Sequence, residues 1–158
     1  MKILVATEKP FAKKAVDGIR QIVEGAGYEL ALLEKYTDKS ELLSAVADVD
    51  ALIIRSDKVT AEVIEAARNL KIVVRAGAGY DNVDGIVVMN TPGQNSNAVA
   101  ELALAMMIFM ARNGFTPGTG SEIQGKTLGI HAYGNVGRLV GRKGKAMGMN
   151  VIAYDPFI

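Results

Sequence analysis

The sequence contains no cysteine and a single histidine, and these two scarcities exclude several kinds of chemistry. Without cysteine the chain has no disulfide bonds, no thiol catalysis and no thiolate ligands for a metal. One histidine also argues against a histidine-rich metal centre, so we predict no metal site. An excess of charge is missing as well, because 18 basic residues face 17 acidic ones. This balance predicts neither a nucleic-acid partner nor an anionic membrane surface as partner.

Long hydrophobic runs are absent too. The longest apolar run, Leu102–Ala111, is far shorter than the roughly 18 residues that are needed to span a bilayer. The apolar part of the N-terminal segment "MKILVATEKP" is too short for a signal peptide. We therefore expect a cytoplasmic protein. Hydrophobic residues make up 49% of the chain, which is enough for a packed core.

Short apolar segments alternate with segments of helical periodicity through the first part of the chain. The segment "KILVAT" predicts a buried strand, and Pro10 opens a helical stretch after it. We expect every strand to be joined to the next through a helix, which gives a parallel sheet with right-handed crossovers. The apolar face of the first helix is assigned to Phe11, Ala15, Ile19, Ile22 and Val23.

The segment "NSNAVAELALAMMIFMARN" predicts a longer helix of a different character. Asn97 is a candidate cap, and Glu101 is well placed for the helix dipole. The run Leu102–Ala111 is apolar all round, so it has to be covered on every side. It is either a core helix or a helix between two domains or two subunits. We place the domain division here, with a first domain over 1–95 and a second, incomplete one over 96–158.

The stretch "LGIHAYGNVGR" has the glycine spacing of a dinucleotide-binding loop, with alanine in place of the first glycine. In such a loop the backbone approaches a diphosphate at the N-terminus of a helix, and the helix packs closely on the strand. Gly134 is assigned to the diphosphate and Gly137 to the crossing of helix and strand. Ala132 is compatible with the turn if its φ is negative. Gly141 and Gly144 weaken the predicted helix and have no evident role.

Asp155 ends the next predicted strand, 18 residues after Gly137. A carboxylate at this point can accept hydrogen bonds from the hydroxyls of an adenine ribose. Its charge would repel a 2′-phosphate, and Pro156 and Phe157 follow it instead of an arginine. The sequence therefore predicts NAD rather than NADP as the cofactor.

Five segments of the chain are informative together: "IIRS", "VVRAGAGYDNVD", "VMNTPGQNSNAVAEL", "GKTLGIHAYGNVGR" and "AYDPF". They resemble one protein family, the D-isomer-specific 2-hydroxyacid dehydrogenases. The resemblance implies a flavodoxin-like substrate-binding domain, with a parallel sheet and helices on both faces, followed by the start of a Rossmann NAD-binding domain. It implies an active cleft between the domains, a homodimer, and NAD-dependent oxidation of D-3-phosphoglycerate in serine synthesis.

The resemblance also assigns roles to individual residues. Guanidinium groups suit recognition of a phosphate or a carboxylate, and both candidate arginines follow predicted strands. The substrate-binding residues implied by the resemblance are Arg55, Ser56, Arg75, Ala76 and Gly77. The cofactor-binding residues implied are Ala78, which matches a position near the nicotinamide, and Tyr133, Gly134, Asn135, Val136, Gly137 and Asp155.

The chain departs from the family pattern in three places. "YDNVDGIVVMN" lacks a short helical segment, and "ARNGFTPGTGSE" is short. The chain also ends before the segment where the family has its catalytic histidine, glutamate and arginine, so we assign no catalytic residue within it. We expect the 158-residue chain alone to be inactive. His131 is expected to be structural and close to the cofactor.

Two other functions stay open at this point. The first is another member of the family, such as a glyoxylate or hydroxypyruvate reductase. Arg55 and Arg75 favour a phosphorylated acid over these substrates. The second is a binding module that senses NAD without catalysis, for which the sequence offers no clear peptide-docking surface.

Overall fold

Five strands of the first unit pair in parallel into one sheet in the computed structural model, which describes residues 1–158. They are β1 (Lys2–Thr7), β2 (Glu29–Glu34), β3 (Ala51–Ile54), β4 (Ile72–Arg75) and β5 (Val88–Asn90). The sheet order is β2-β1-β3-β4-β5, which is the order of flavodoxin-like folds. The α/β class predicted from the sequence is therefore confirmed. The unit extends over Met1–Pro92.

Three helices accompany this sheet: α1 (Lys13–Gly25), α2 (Lys39–Ala45) and α3 (Ala61–Ala66). Successive side chains of a strand point to opposite faces, so Leu4 and Ala6 share one face of β1. That face belongs to a buried cluster that includes Leu42 of α2 and Val63 of α3. Val5 is fully buried as well but lies outside this cluster. The sheet thus carries apolar packing on both faces.

Helix α1 starts three residues later than Pro10, and its buried face differs from the predicted one. Val16 and Val23 are its buried residues, whereas the side chain of Ile22 is 74% exposed. Positions 16 and 23 are two helical turns apart on one stripe, and Ile22 lies about 100° around the helix from Val23. The prediction that Ile22 faces the core was wrong.

The link between β4 and β5 contains no helix, contrary to the prediction that every crossover is helical. It is held instead by a single parallel bridge between Val59 and Val83. The N–H of Val59 donates to the carbonyl of Asn82, and the N–H of Asp84 donates to that of Val59, both at 2.9 Å. These bonds attach the link to the segment that leads into α3, so the connection is ordered without a helix of its own.

The second unit, Gly93–Ile158, contains a two-stranded parallel sheet and two helices. Strands β6 and β7 pair along their whole length, with Thr127 opposite Asn150 at one end and His131 opposite Tyr154 at the other. None of the helices in the chain has both the length and the hydropathy required to cross a bilayer. The elements are α4 (Ser96–Ala111), a 3₁₀ turn (Asn113–Phe115), β6 (Thr127–His131), α5 (Asn135–Ala146) and β7 (Asn150–Tyr154).

Helix α4 is capped differently from the prediction, because its N-cap residue is Asn95 rather than Asn97. The side-chain amide of Asn97 donates to the carboxylate of Glu101 at 2.8 Å, and Lys143 of α5 donates to the same oxygen at 3.3 Å. The hydrogen bonds from Asn97 and Lys143 lower the pKa of the Glu101 carboxyl. This ion pair links α4 to α5 at their exposed edge.

Most of the apolar surface of α4 is exposed in the chain. Its buried residues are Ser96, Ala100 and Leu104, which lie at helical spacing on one side. The sequence indicated that the run Leu102–Ala111 must be covered on every side, but Leu104 is the one residue of this run that the structure buries fully. The larger exposed side chains are Leu102 at 61%, Met106 at 57%, Phe109 at 49% and Met110 at 77%.

Candidate functional site

Two arginines lie together at the carboxyl edge of the five-stranded sheet. Arg75 is the last residue of β4 and pairs in register with Ile54, the last residue of β3. Arg55 and Ser56 follow Ile54 directly and are exposed to solvent. In open α/β sheets this edge is where ligands bind, so the arrangement can present two guanidinium groups to one anion.

The side chain of Arg75 folds back over the backbone of Gly77. A methyl group built on Gly77 would overlap with the guanidinium and would lie 3.0 Å from Nε. Nε is buried and has no hydrogen-bond partner. A buried donor without an acceptor is costly, and an anionic ligand is the acceptor that its chemistry favours. Glycine at 77 therefore allows the conformation in which Arg75 is held.

The backbone after β4 is fixed by short hydrogen bonds. The N–H of Ala76 donates to the carbonyl of Ile54 at 2.8 Å, which continues the β3–β4 pairing by one residue. The N–H of Gly77 donates to the carbonyl of Arg75, also at 2.8 Å, and this bond closes a tight turn. Ala76, Gly77 and Ala78 are half-buried, so the predicted substrate-binding segment is an ordered turn at the sheet edge.

Asp57 organises the same edge and was missed by the sequence analysis. It is 5% exposed, and its carboxylate accepts bonds from the Glu8 N–H and the Tyr36 hydroxyl, each at 2.8 Å. The N–H groups of Arg55 and Ser56 approach its other oxygen at 3.4 and 3.3 Å. A buried carboxylate needs such donors. Asp57 therefore shapes the turn that carries Arg55 and Ser56.

Two neighbours of Asp57 show how tightly this region is tied together. Burial, and then the hydrogen bond that it donates to Asp57, raise the pKa of the Tyr36 hydroxyl. The side-chain amide of Asn82 donates to the Asp57 carbonyl at 2.7 Å. The sequence around Asp57 contains no signal that its side chain is buried, because an aspartate beside polar residues is usually exposed. The sequence analysis therefore could not identify this network.

In the second unit, the N-terminus of α5 presents free backbone donors. Gly134 is the N-cap residue, and no side chain caps the helix. The first N–H group that makes an intrahelical hydrogen bond is that of Arg138, which donates to the Gly134 carbonyl at 3.0 Å. The N–H groups of residues 135–137 are therefore available to a ligand, and no acidic residue occupies the first turn. Such a terminus fits a diphosphate.

Ala132 has a φ of +78°, so the turn forms although the negative φ on which its compatibility with alanine was made to depend is not adopted. The tight turn after β6 requires the left-handed region, which is the reason that glycine usually stands at the start of this kind of loop. The N–H of Ala132 donates to the carbonyl of Tyr154 at 2.8 Å, and this bond holds the residue in place. An alanine at such a φ is strained.

We expect Ala132→Gly to raise the free energy of unfolding by roughly 0.5–1 kcal/mol. Relief of about 1–2 kcal/mol of left-handed strain outweighs the extra chain entropy of glycine, which is about 0.5–1 kcal/mol. Urea unfolding of both variants measures the change. Ala153→Gly is the control, since Ala153 is exposed within β7 and has no positive φ. The strain argument fails if both changes destabilise the protein equally.

Three glycines allow α5 to lie close to the loop and the sheet. A methyl group on Gly137 would overlap with the Ala132 carbonyl oxygen and lie 3.2 Å from a methyl of Ile130. One on Gly141 would lie 2.7 Å from the Tyr133 hydroxyl, and one on Gly144 would lie 2.9 Å from Leu128. Gly141 and Gly144, which had no evident role in the sequence, therefore leave room for the side chains of Tyr133 and Leu128 against α5.

Asp155 ties the end of β7 to the loop before α5. Its Oδ2 accepts from the N–H of Tyr133 at 2.6 Å, and its Oδ1 accepts from that of Phe157 at 2.9 Å. The Tyr133 carbonyl in turn accepts from Nε of Arg138 at 3.0 Å. A carboxylate has about four lone-pair sites, so Asp155 can still accept bonds from ribose hydroxyls.

His131 is the last residue of β6 and is exposed. Its ring lies beside that of Tyr154 on β7, with the ring centroids 5.5 Å apart. No carboxylate pairs with it, so it lacks the partner that would orient an imidazole for proton transfer.

The family model for the D-isomer specific 2-hydroxyacid dehydrogenase catalytic domain matches residues 4–140. The chain therefore belongs to this family, and the resemblance that the sequence motifs indicated is confirmed. The segments that carry the resemblance contain the two arginines at the sheet edge and the loop before α5.

Individual relatives narrow the comparison. A 3-phosphoglycerate dehydrogenase of Entamoeba histolytica, solved with NAD+ bound, is 53% identical over the whole chain with a TM-score of 0.94. The chain covers 55% of that structure. A hydroxypyruvate reductase of Thermotoga maritima is 42% identical over 81% of the chain and 49% of its own length. A D-3-phosphoglycerate dehydrogenase of Archaeoglobus fulgidus is 40% identical over all of the chain and 33% of its own length.

The chain thus spans between a third and a half of the length of these two curated relatives. The match to the Archaeoglobus protein runs over 179 residues and takes in all 158 of this chain. That relative therefore has residues inside the matched region that have no counterpart here.

Proposed function

We propose that the full-length protein is an NAD-dependent oxidoreductase that converts D-3-phosphoglycerate to 3-phosphohydroxypyruvate. In this proposal residues 1–95 bind the substrate, and residues 96–158 form the first part of the NAD-binding domain. The observation that carries it is the pair of arginines at the carboxyl edge of the first sheet, in a chain that is 53% identical to an NAD+-bound 3-phosphoglycerate dehydrogenase. Oxidation of this substrate would serve serine synthesis.

The loop before α5 has the donor set that NAD requires. The free N–H groups of residues 135–137 would bind the diphosphate, and the carboxylate of Asp155 would bind the adenine ribose. The absence of a side chain at Gly137 lets α5 lie close to Ala132 and to Ile130 of β6, and this packing positions the N-terminus of the helix. When bound, NAD accepts a hydride from the carbon that carries the hydroxyl group. The residues of this chain bind and orient the cofactor.

The arginine pair supports a doubly anionic substrate. Arg75 is held over Gly77, and its Nε is buried without a hydrogen-bond partner. Arg55 directly follows Ile54, which is the register partner of Arg75 on the neighbouring strand. Two guanidinium groups can form bidentate hydrogen bonds to a phosphate and a carboxylate of one small molecule. Ser56 can donate its hydroxyl proton to the same ligand.

The substrate proposal is tested by steady-state kinetics of the full-length protein with D-3-phosphoglycerate and with D-glycerate, in the presence of NAD. We expect kcat/KM for the phosphorylated acid to exceed that for D-glycerate by about 100-fold, because the charge-assisted hydrogen bonds to the phosphate group are lost with D-glycerate. Turnover with D-glycerate and none with the phosphorylated acid would refute the choice of substrate.

Hydroxypyruvate reduction is the second candidate, and the 42% identity to the Thermotoga enzyme of that name favours it. The same kinetics, run with NADH and hydroxypyruvate or 3-phosphohydroxypyruvate, separate the two candidates. A preference for the unphosphorylated ketoacid would support the reductase.

We further propose a homodimer, which the exposed apolar side chains of α4 support. Helices with such a surface are usually covered by another subunit or domain. Sedimentation velocity of the full-length protein at micromolar concentration measures its mass, and a monomer would contradict the dimer.

A further inference from the structure

The turn after β4 is anchored on its carbonyl side by residues at the end of β5. The carbonyl of Gly77 accepts from the N–H of Thr91 at 2.9 Å. The carbonyl of Ala78 accepts from the side-chain amide of Asn90 at 2.7 Å. Asn90 is the last residue of β5 and the register partner of Arg75. The oxygens of two successive peptide groups are therefore held by Asn90, at the end of β5, and by Thr91, the residue after it.

This attachment determines where the neighbouring N–H groups point. The chain has no cis peptide bonds, and in a trans peptide the N–H points opposite to the C=O. The N–H groups of Ala78 and Gly79 are consequently directed away from β5. Neither of them donates to an acceptor within the chain. Two successive N–H groups without an acceptor can donate together to one anion.

We propose that Asn90 is a positioning residue for substrate binding, acting through the peptide group between Ala78 and Gly79. Its amide holds the Ala78 carbonyl toward β5, which presents the N–H groups of Ala78 and Gly79 to a carboxylate or phosphate oxygen of the substrate. Asn90 itself does not touch the ligand. This inference rests on the proposed function for the identity of the ligand.

The chemistry of asparagine suits this position. The amide supplies a donor without a charge, so it can hold a carbonyl close to a site that receives an anion. Aspartate has nearly the same shape but accepts only, so it would repel both the Ala78 carbonyl and the ligand. Alanine removes the donor and leaves the peptide free to rotate. Asn90→Ala therefore tests the loss of the hydrogen bond to the Ala78 carbonyl, and Asn90→Asp tests its replacement by a repulsion.

The test compares Asn90→Ala and Asn90→Asp in the full-length protein. We expect about tenfold weaker binding of 3-phosphoglycerate by Asn90→Ala, the loss of roughly one hydrogen bond to an anion, and still weaker binding by Asn90→Asp. The dissociation constant for NADH should change far less than that for 3-phosphoglycerate. In the ligand-free protein the N–H of Thr91 should exchange with deuterium several times faster in Asn90→Ala, because the turn that supplies its acceptor is loosened.

Asn150→Ala is the matched control, because the amide of Asn150 also donates to a backbone carbonyl, that of Gly125, at 3.1 Å. It should change neither substrate binding nor the exchange of Thr91. Unchanged substrate affinity in Asn90→Ala would overturn the inference. If the unaltered protein binds no 2-hydroxy acid, the proposed function is wrong, and the Thr91 exchange still decides whether Asn90 holds the turn.

Discussion

Gly137→Ala should weaken NADH binding by the full-length protein by more than about tenfold and lower the free energy of unfolding by about 1–3 kcal/mol. The added methyl group meets the carbonyl oxygen of Ala132, which is backbone and cannot rotate away as a side chain can. Helix α5 must therefore move away from β6. That movement displaces the N–H groups of residues 135–137, which the proposal assigns to the diphosphate.

Calorimetric titration with NADH and urea unfolding measure the two effects. Gly129→Ala is the control in the same unit, because a methyl group built on Gly129 meets no atom within 4 Å and the residue has no positive φ. It should leave NADH affinity unchanged. Full NADH affinity in Gly137→Ala would show that the loop before α5 is not the diphosphate site.

Gly77→Ala should reduce the affinity for 3-phosphoglycerate by about ten- to a hundredfold with little loss of stability. The new methyl group overlaps with the Arg75 guanidinium, which is the mobile end of a flexible side chain and can leave its place. The fold survives, but the charge-assisted hydrogen bonds of Arg75 to the ligand, about 1.5–3 kcal/mol, are lost. Substrate affinity and unfolding free energy are measured on the same preparations.

A double-mutant cycle establishes that the effect passes through Arg75. If Gly77→Ala acts by displacing the guanidinium, then adding it to Arg75→Ala should cost almost nothing further. Additive losses would mean that the methyl group blocks the ligand directly, which contradicts the explanation. Gly85→Ala is the matched control, since a methyl group there meets nothing within 4 Å.

The strands and helices could be predicted because apolar periodicity and start signals are local. Asp38, for example, caps α2 with the help of Glu41, and this capping box is a start signal contained in a few neighbouring residues. The position of Arg75 at a strand end follows from the same patterns. The roles of Arg75 and the loop before α5 came from the family resemblance, because guanidinium groups and glycines alone are compatible with many surfaces.

Other features depend on contacts that no local pattern contains. Alanine is common at negative φ, so the left-handed conformation of Ala132 could not be inferred from its identity. The glycines of α5 lowered the predicted helix stability, and only the positions of Tyr133 and Leu128 explain them. Asp57 and Asn90 are a buried acid and a strand-end amide whose partners lie far away in sequence.

The exposed thioethers on α4 have a chemical consequence. Met110 is 77% and Met106 is 57% exposed, so hydrogen peroxide can reach both sulfur atoms in an uncovered helix. Conversion to the sulfoxide makes these side chains polar and would disrupt an apolar contact made by this surface. In an assembled protein the same sulfur atoms would be shielded, so their oxidation rate reports directly whether a second subunit lies against the helix.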